Sequence, residues 1–214
     1  MTRDTSAGLQ LRTGAALVAV VAAGGLYFAF RPQEGMVDGW FSFVEQSGHH
    51  WWYMVVTWLR YPVVVVAGSL LAAAVCFRRD RPRFWACLFG PPVALATCEL
   101  VIKPLVGRTL GGVYSYPSGS TVGAAALATV AVLATPIRWR TIAVVVVSLY
   151  TLWMAVAVVG LQWHYPTDSL AGVVYGVGVV LVADGLAWKV AVRLRDGSSP
   201  AVGPVGSRSA PPGG

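Results

Sequence analysis

Long apolar runs separated by short polar turns dominate the chain. Residues from about Ala15 to Phe30, Tyr53 to Phe77, Phe84 to Ile102, Thr121 to Ala134, Thr141 to Gly160 and Pro166 to Trp188 are rich in Val, Ala, Leu and Gly, with isolated charges at most. Such runs predict helices that cross a bilayer, whose hydrocarbon core of about 30 Å takes roughly 20 residues. The expected fold is therefore all-α, a polytopic bundle of six transmembrane helices over residues 15–190. Residues 1–14 read as a polar, frayed leader and residues 191–214 as a tail whose Ser, Pro and Gly content favours disorder. The first run reads as a retained span, because the residues before it mix Arg3 with Asp4 and no small-residue cleavage site follows it. Pro91 and Pro92 should kink the third span, and Arg60-Tyr61-Pro62 interrupts the second.

Composition agrees with this picture: 56% of the 214 residues are hydrophobic, 12% are charged, and the mean hydropathy is +0.64. A net charge of +7 raises nucleic-acid binding in a soluble protein, but here the charges mark topology. Twelve of the sixteen Lys and Arg fall before the first run, in Arg78–Arg83, in Arg138–Arg140 or after the last run. Arg31, Lys103 and Arg108 lie on the opposite side, and Arg60 lies inside a span. The positive-inside rule then puts both termini in the cytoplasm of a multi-pass protein of the cell membrane, with no nucleic-acid partner expected. Arg60 reads as a structural charge that snorkels outward, the alternative being a lining residue of an anion pocket. Cys76, Cys87 and Cys98 show no metal spacing and read as small buried residues; Cys87 and Cys98 are roughly 16 Å apart on one helix, beyond any disulfide.

The segment from Gln33 to Trp52 forms a long outer connection whose Trp40, Phe41, Phe43, Trp51 and Trp52 suit the headgroup level, with a short interfacial helix expected. His49 and His50 close it as a solvated pair. Glu99 stands four residues before Lys103, the favourable order for a helical ion pair. The loop from Lys103 to Ser120 then supplies Lys103, Arg108, Gly111-Gly112 and the helix start Pro117-Ser118-Gly119-Ser120. Hydroxyl caps, free N–H groups and two cations there suit a phosphate. In the polar turn Leu161–Asp168, Pro166 opens a helix that carries Asp168 in its first turn, from which the carboxylate can reach back and orient the His164 imidazole as a nucleophile or base. In an up-and-down bundle these loops meet on the extracytoplasmic side. Asp184, near the inner end, is expected at the interface or beside Lys189.

Lys103 with Arg108, then Pro117-Ser118-Gly119, then His164 with Asp168 resemble the three signature blocks of the type 2 phosphatidic acid phosphatase family, across roughly residues 50 to 190. The resemblance implies hydrolysis of a lipid phosphate or a polyprenyl diphosphate such as undecaprenyl diphosphate, with no metal or other cofactor. His164 would attack phosphorus to give a phosphohistidine, Asp168 would support the imidazole, and Lys103, Arg108 and the N–H groups of Ser118, Gly119 and Ser120 would hold the phosphate oxygens. The chain departs from the family pattern at Leu110-Gly111 (usually Arg-Pro), at Ser120 (usually the His that protonates the leaving group) and at Ala157-Val158 (usually Ser-Arg). A serine is a poor general acid, which implies reduced activity, least so on a diphosphate, whose leaving group is already a good anion. The alternative is a catalytically inactive relative that binds anionic lipid headgroups or a membrane partner.

Overall fold

The computed structural model describes residues 3–31, 35–40 and 51–197. Among these, α1 spans Arg3–Phe30, α2 Met36–Trp40, α3 Trp51–Thr57 and α4 Pro62–Cys76. Helix α5 spans Arg81–Val106, α6 Gly119–Ala134, α7 Arg140–Gly160 and α8 Pro166–Gly197. His49, His50, Phe41, Phe43 and the tail beyond Gly197 lie outside the described residues.

The all-α class holds, and the apolar helices make this a multi-pass membrane protein. Helices α1, α5, α7 and α8 are long and apolar enough to cross a membrane, and α3 with α4 make a fifth crossing if the pair, bent by 60°, is one span. Pro62 at the first position of α4 explains the bend, because it forces Tyr61 into an extended conformation (φ −60°, ψ 137°). The sixth expected helix, α6, has only 16 residues. Every residue from Gly119 to Ala126 is buried, since α6 packs against α4, α5, α7 and α8 at the centre of the bundle.

Two expectations need correction. The frayed leader is helical from Arg3, and Ala7 is buried where α1 packs along α8. Helix α5 carries Pro91 and Pro92 in its interior and a π-helical turn at Cys98–Ile102. Asp184 is fully buried and lies 3.9 Å from Arg83 Nε rather than at an interface or on Lys189. The cysteines are free and buried, as the sequence suggests.

Close packing of α8 depends on its small residues. A Cβ at Gly176 would stand 2.5 Å from the Val122 carbonyl oxygen of α6, and one at Gly178 would stand 3.1 Å from the Gly14 carbonyl of α1. Gly176→Ala is thus expected to destabilise the protein by about 1–3 kcal/mol despite alanine's better helix propensity. Gly8→Ala, where nothing lies within 4 Å, should be neutral or stabilising. Thermal unfolding of the two variants in detergent checks this, and equal melting temperatures would contradict the packing argument.

Candidate active site

The loop after α5 is a small β-hairpin. Strands β1 (Thr109–Leu110) and β2 (Val113–Tyr114) pair antiparallel around Gly111 and Gly112, whose φ values of +59° and +83° suit a turn with two left-handed residues. The hairpin returns Ser115 to Arg108, with Ser115 N–H donating to the Arg108 carbonyl at 2.8 Å. That closure positions two groups at once: the Arg108 side chain and the Ser115 carbonyl.

Arg108 is fully buried. Its Nη1 donates to Asp168 Oδ1 at 2.6 Å and to Thr167 Oγ1 at 2.8 Å, and its Nη2 donates to Asp38 Oδ2 at 2.8 Å. The rings of Phe28 and Tyr165 sandwich the guanidinium at 3.9 and 4.2 Å. The guanidinium expected to hold phosphate is thus engaged here by two carboxylates inside the protein. Asp38 is the residue that sequence reasoning missed. Besides Arg108 it accepts from Thr167 N–H at 3.0 Å, from the Thr167 hydroxyl at 2.7 Å and from Gly35 N–H at 3.0 Å. Burial alone would raise its pKa, but these hydrogen bonds outweigh it and hold the carboxyl below the usual range.

Asp168 lies in the first turn of α8 as expected, yet its carboxylate does not reach the imidazole. Oδ1 takes Arg108, and Oδ2 accepts from Tyr165 N–H at 3.1 Å. The His164 ring is oriented instead by the Ser115 carbonyl, 2.9 Å from Nδ1. A carbonyl can only accept, so Nδ1 carries the proton and Nε2 keeps its lone pair. Burial first, then the nearby Lys103 ammonium, and also the Arg60 guanidinium, push His164 from 6.5 down to about 3 against the pull of the Ser115 carbonyl. The result is a neutral, nucleophilic imidazole at physiological pH.

The phosphate cradle is partly present. Ser118 caps α6 by position, but its hydroxyl makes no cap bond and is buried without a partner among the described residues, and its N–H donates to the Asp168 carbonyl at 3.0 Å. Ser118 therefore offers a hydroxyl and no amide. Gly119 and Ser120 open the helix, where the first N–H groups have no intrahelical acceptor. Lys103 is buried and paired as expected, its Nζ 2.8 and 2.9 Å from the two oxygens of Glu99. That carboxylate lies directly over the start of α6, where a methyl group at Gly119 would overlap it. A cavity of about 620 Å³ opens here, lined by Arg60, Glu99, Gly119 and Ser120 together with Val65, Val66, Pro92, Leu95, Ala96 and Leu100. Among the described residues no cluster of His, Cys, Asp and Glu could hold a metal.

Residues 50–191 match the family model described as the PAP2 superfamily. The chain belongs to that superfamily. No curated protein and no solved structure matches it. PAP2 membership suggests phosphatase activity on phosphorylated lipids and association with a membrane. In this PAP2 chain the three departures lie in different surroundings. Ser120 lines the cavity, Leu110 sits half-buried in β1, and Val158 is fully buried beside Tyr53, Val56 and Leu161 in an apolar cluster.

Two measurements follow. Arg108→Ala should cost about 3–5 kcal/mol of stability, because it leaves Asp38 and Asp168 as unpaired buried charges; a loss under about 1 kcal/mol in denaturant titration would contradict the assigned role. For His164, the folded state binds its proton more weakly than the unfolded chain, so wild-type stability should fall relative to His164→Gln as pH drops from about 6.5 toward 3. The difference between the two stability curves over that window tests the shift, and parallel curves would refute it.

Proposed function

We propose that this chain hydrolyses a lipid monophosphate or polyprenyl diphosphate at the extracytoplasmic face of the cell membrane, through a phosphohistidine on His164. The observation that carries this reading is the cavity at the start of α6. Its lining joins charged and polar groups, Arg60, Glu99 and Ser120, to apolar side chains of α4 and α5, the combination that fits an anionic head on a hydrocarbon tail. The neutral imidazole supports the chemistry. The Nε2 lone pair forms the N–P bond as the bond from phosphorus to the leaving oxygen breaks, and the leaving oxygen takes a proton. Water then attacks phosphorus and the N–P bond breaks, giving alcohol (or lipid monophosphate) and inorganic phosphate.

Lys103, the Ser118 hydroxyl and the Gly119 and Ser120 N–H groups hold phosphate oxygens in this scheme, while Asp168 acts through Arg108 and the α8 turn as a positioning residue. The basic turns at Arg78–Arg83 and Arg138–Arg140 support a six-span arrangement with both termini cytoplasmic, in which the short α6 crosses as a helix sheathed by its neighbours. Ser120 in place of an acid favours diphosphates, whose leaving group needs little protonation. It equally supports a second reading, an inactive relative that binds anionic lipid heads.

Phosphate release by detergent-purified protein from phosphatidate, phosphatidylglycerophosphate and undecaprenyl diphosphate, with metal chelated, separates the two. Release is expected, fastest from the diphosphate, abolished in His164→Ala, and raised on phosphatidate by Ser120→His by up to about 10²–10⁴-fold. Silence of both wild type and Ser120→His would overturn the phosphatase reading and put the binding protein ahead.

A further inference from the structure

A phosphate entering this cavity needs an uncompensated positive charge, and the two cations nearest in sequence to the cradle do not provide one. Lys103 is paired with Glu99 at 2.8 Å, and Arg108 is sealed between Asp38 and Asp168. Arg60 differs. It lines the same cavity as Glu99, Gly119 and Ser120, and among the described residues it has neither a carboxylate nor a hydrogen-bond acceptor. Its guanidinium rests on the Trp163 ring at 4.5 Å, with Tyr61 at 5.7 Å on the chain beside it. Stacking on an aromatic face holds the guanidinium plane while leaving its N–H edges unspent, the arrangement in which arginine takes phosphate oxygens in pairs.

The local fold explains how a residue from the second apolar run reaches the site. The helix tightens to a 3₁₀ turn at Trp58–Arg60, Tyr61 is extended and Pro62 restarts it at 60° to its former direction. Arg60 is the last residue before that corner, and Trp163, on which it stacks, directly precedes His164. The guanidinium is close enough for its field to act on the His164 ring. A side chain that only snorkelled toward headgroups would have no reason to be anchored to the residue beside the nucleophile.

We propose that Arg60 is the cation that receives the phosphate head of the lipid, replacing at this cavity the charge that Leu110 and Val158 do not supply. This rests on the reading of the cavity as a lipid-phosphate site, and binding rather than turnover is the primary readout.

The experiment titrates detergent-purified wild type, Arg60→Gln and Arg60→Lys with dioctanoyl phosphatidate and with dioctanoylglycerol, and measures phosphate release and melting temperature on the same samples. Arg60→Gln is expected to weaken phosphatidate binding by about 10- to 100-fold, the usual weight of a charge-assisted bidentate contact. Dioctanoylglycerol affinity and melting temperature should stay unchanged, and Arg60→Lys should recover part of the loss, as a point charge without the fork geometry. In Arg60→Ala, free guanidinium ion should restore phosphatidate binding. Unchanged phosphatidate affinity in Arg60→Gln overturns the proposal, even if phosphate release then establishes the phosphatase reading. Equal losses for both ligands also overturn it, since Arg60 would only shape the cavity. Phosphatidate binding that depends on Arg60 without any phosphate release upholds it while hydrolysis fails, and a wild type that binds no phosphatidate overturns it.

Discussion

A charge with no exposed surface must be matched where it stands, and Arg108 is such a charge. Two carboxylates from opposite ends of the chain, Asp38 and Asp168, converge on it, and two aromatic rings close its faces. Neither carboxylate could be buried without the guanidinium, nor the guanidinium without them. The cluster ties α2, the loop at Arg108 and the start of α8 into one unit. Because Asp38 also accepts the Thr167 N–H, the same carboxylate satisfies the first turn of α8.

Arg108 and Asp168 are paired with each other, and the His164 imidazole is oriented by a main-chain oxygen that the hairpin delivers. A backbone acceptor is well suited to that task. It cannot be protonated and has no rotamer to lose, and it selects one tautomer as firmly as a carboxylate would without adding a negative charge beside the ring.

Much of this was legible in the residue pattern. Span length and hydropathy are period and composition effects, and they located the apolar helices; the Ser-Gly-Ser stretch marked the start of α6. Pro62 and Pro166 marked real helix starts because proline acts locally. What the pattern did not yield were effects of tertiary pairing. The i,i+4 pair of Glu99 and Lys103 was visible in the sequence, but the contact of its carboxylate with α6 was not. Asp38 looked like one acidic residue among others in an aromatic loop, and no spacing rule connects it to a position 70 residues away. The Ser115 carbonyl leaves no sequence trace at all, since every residue has one. The hairpin did have a signal, Gly111-Gly112 between Thr-Leu and Val-Tyr, overshadowed by the long apolar runs on either side.

The carboxylate of Glu99, lying across the first turn of α6 and clasped by Lys103, gives the empty site an anion of its own. On the proposed reading, a phosphate that reaches the Arg60 guanidinium must also move this carboxylate aside at the helix start. A phosphate leaving a site of the proposed kind would meet a built-in competitor that refills its place. The same carboxylate would disfavour ordinary headgroups of single charge, which displace it poorly, over ligands that carry more.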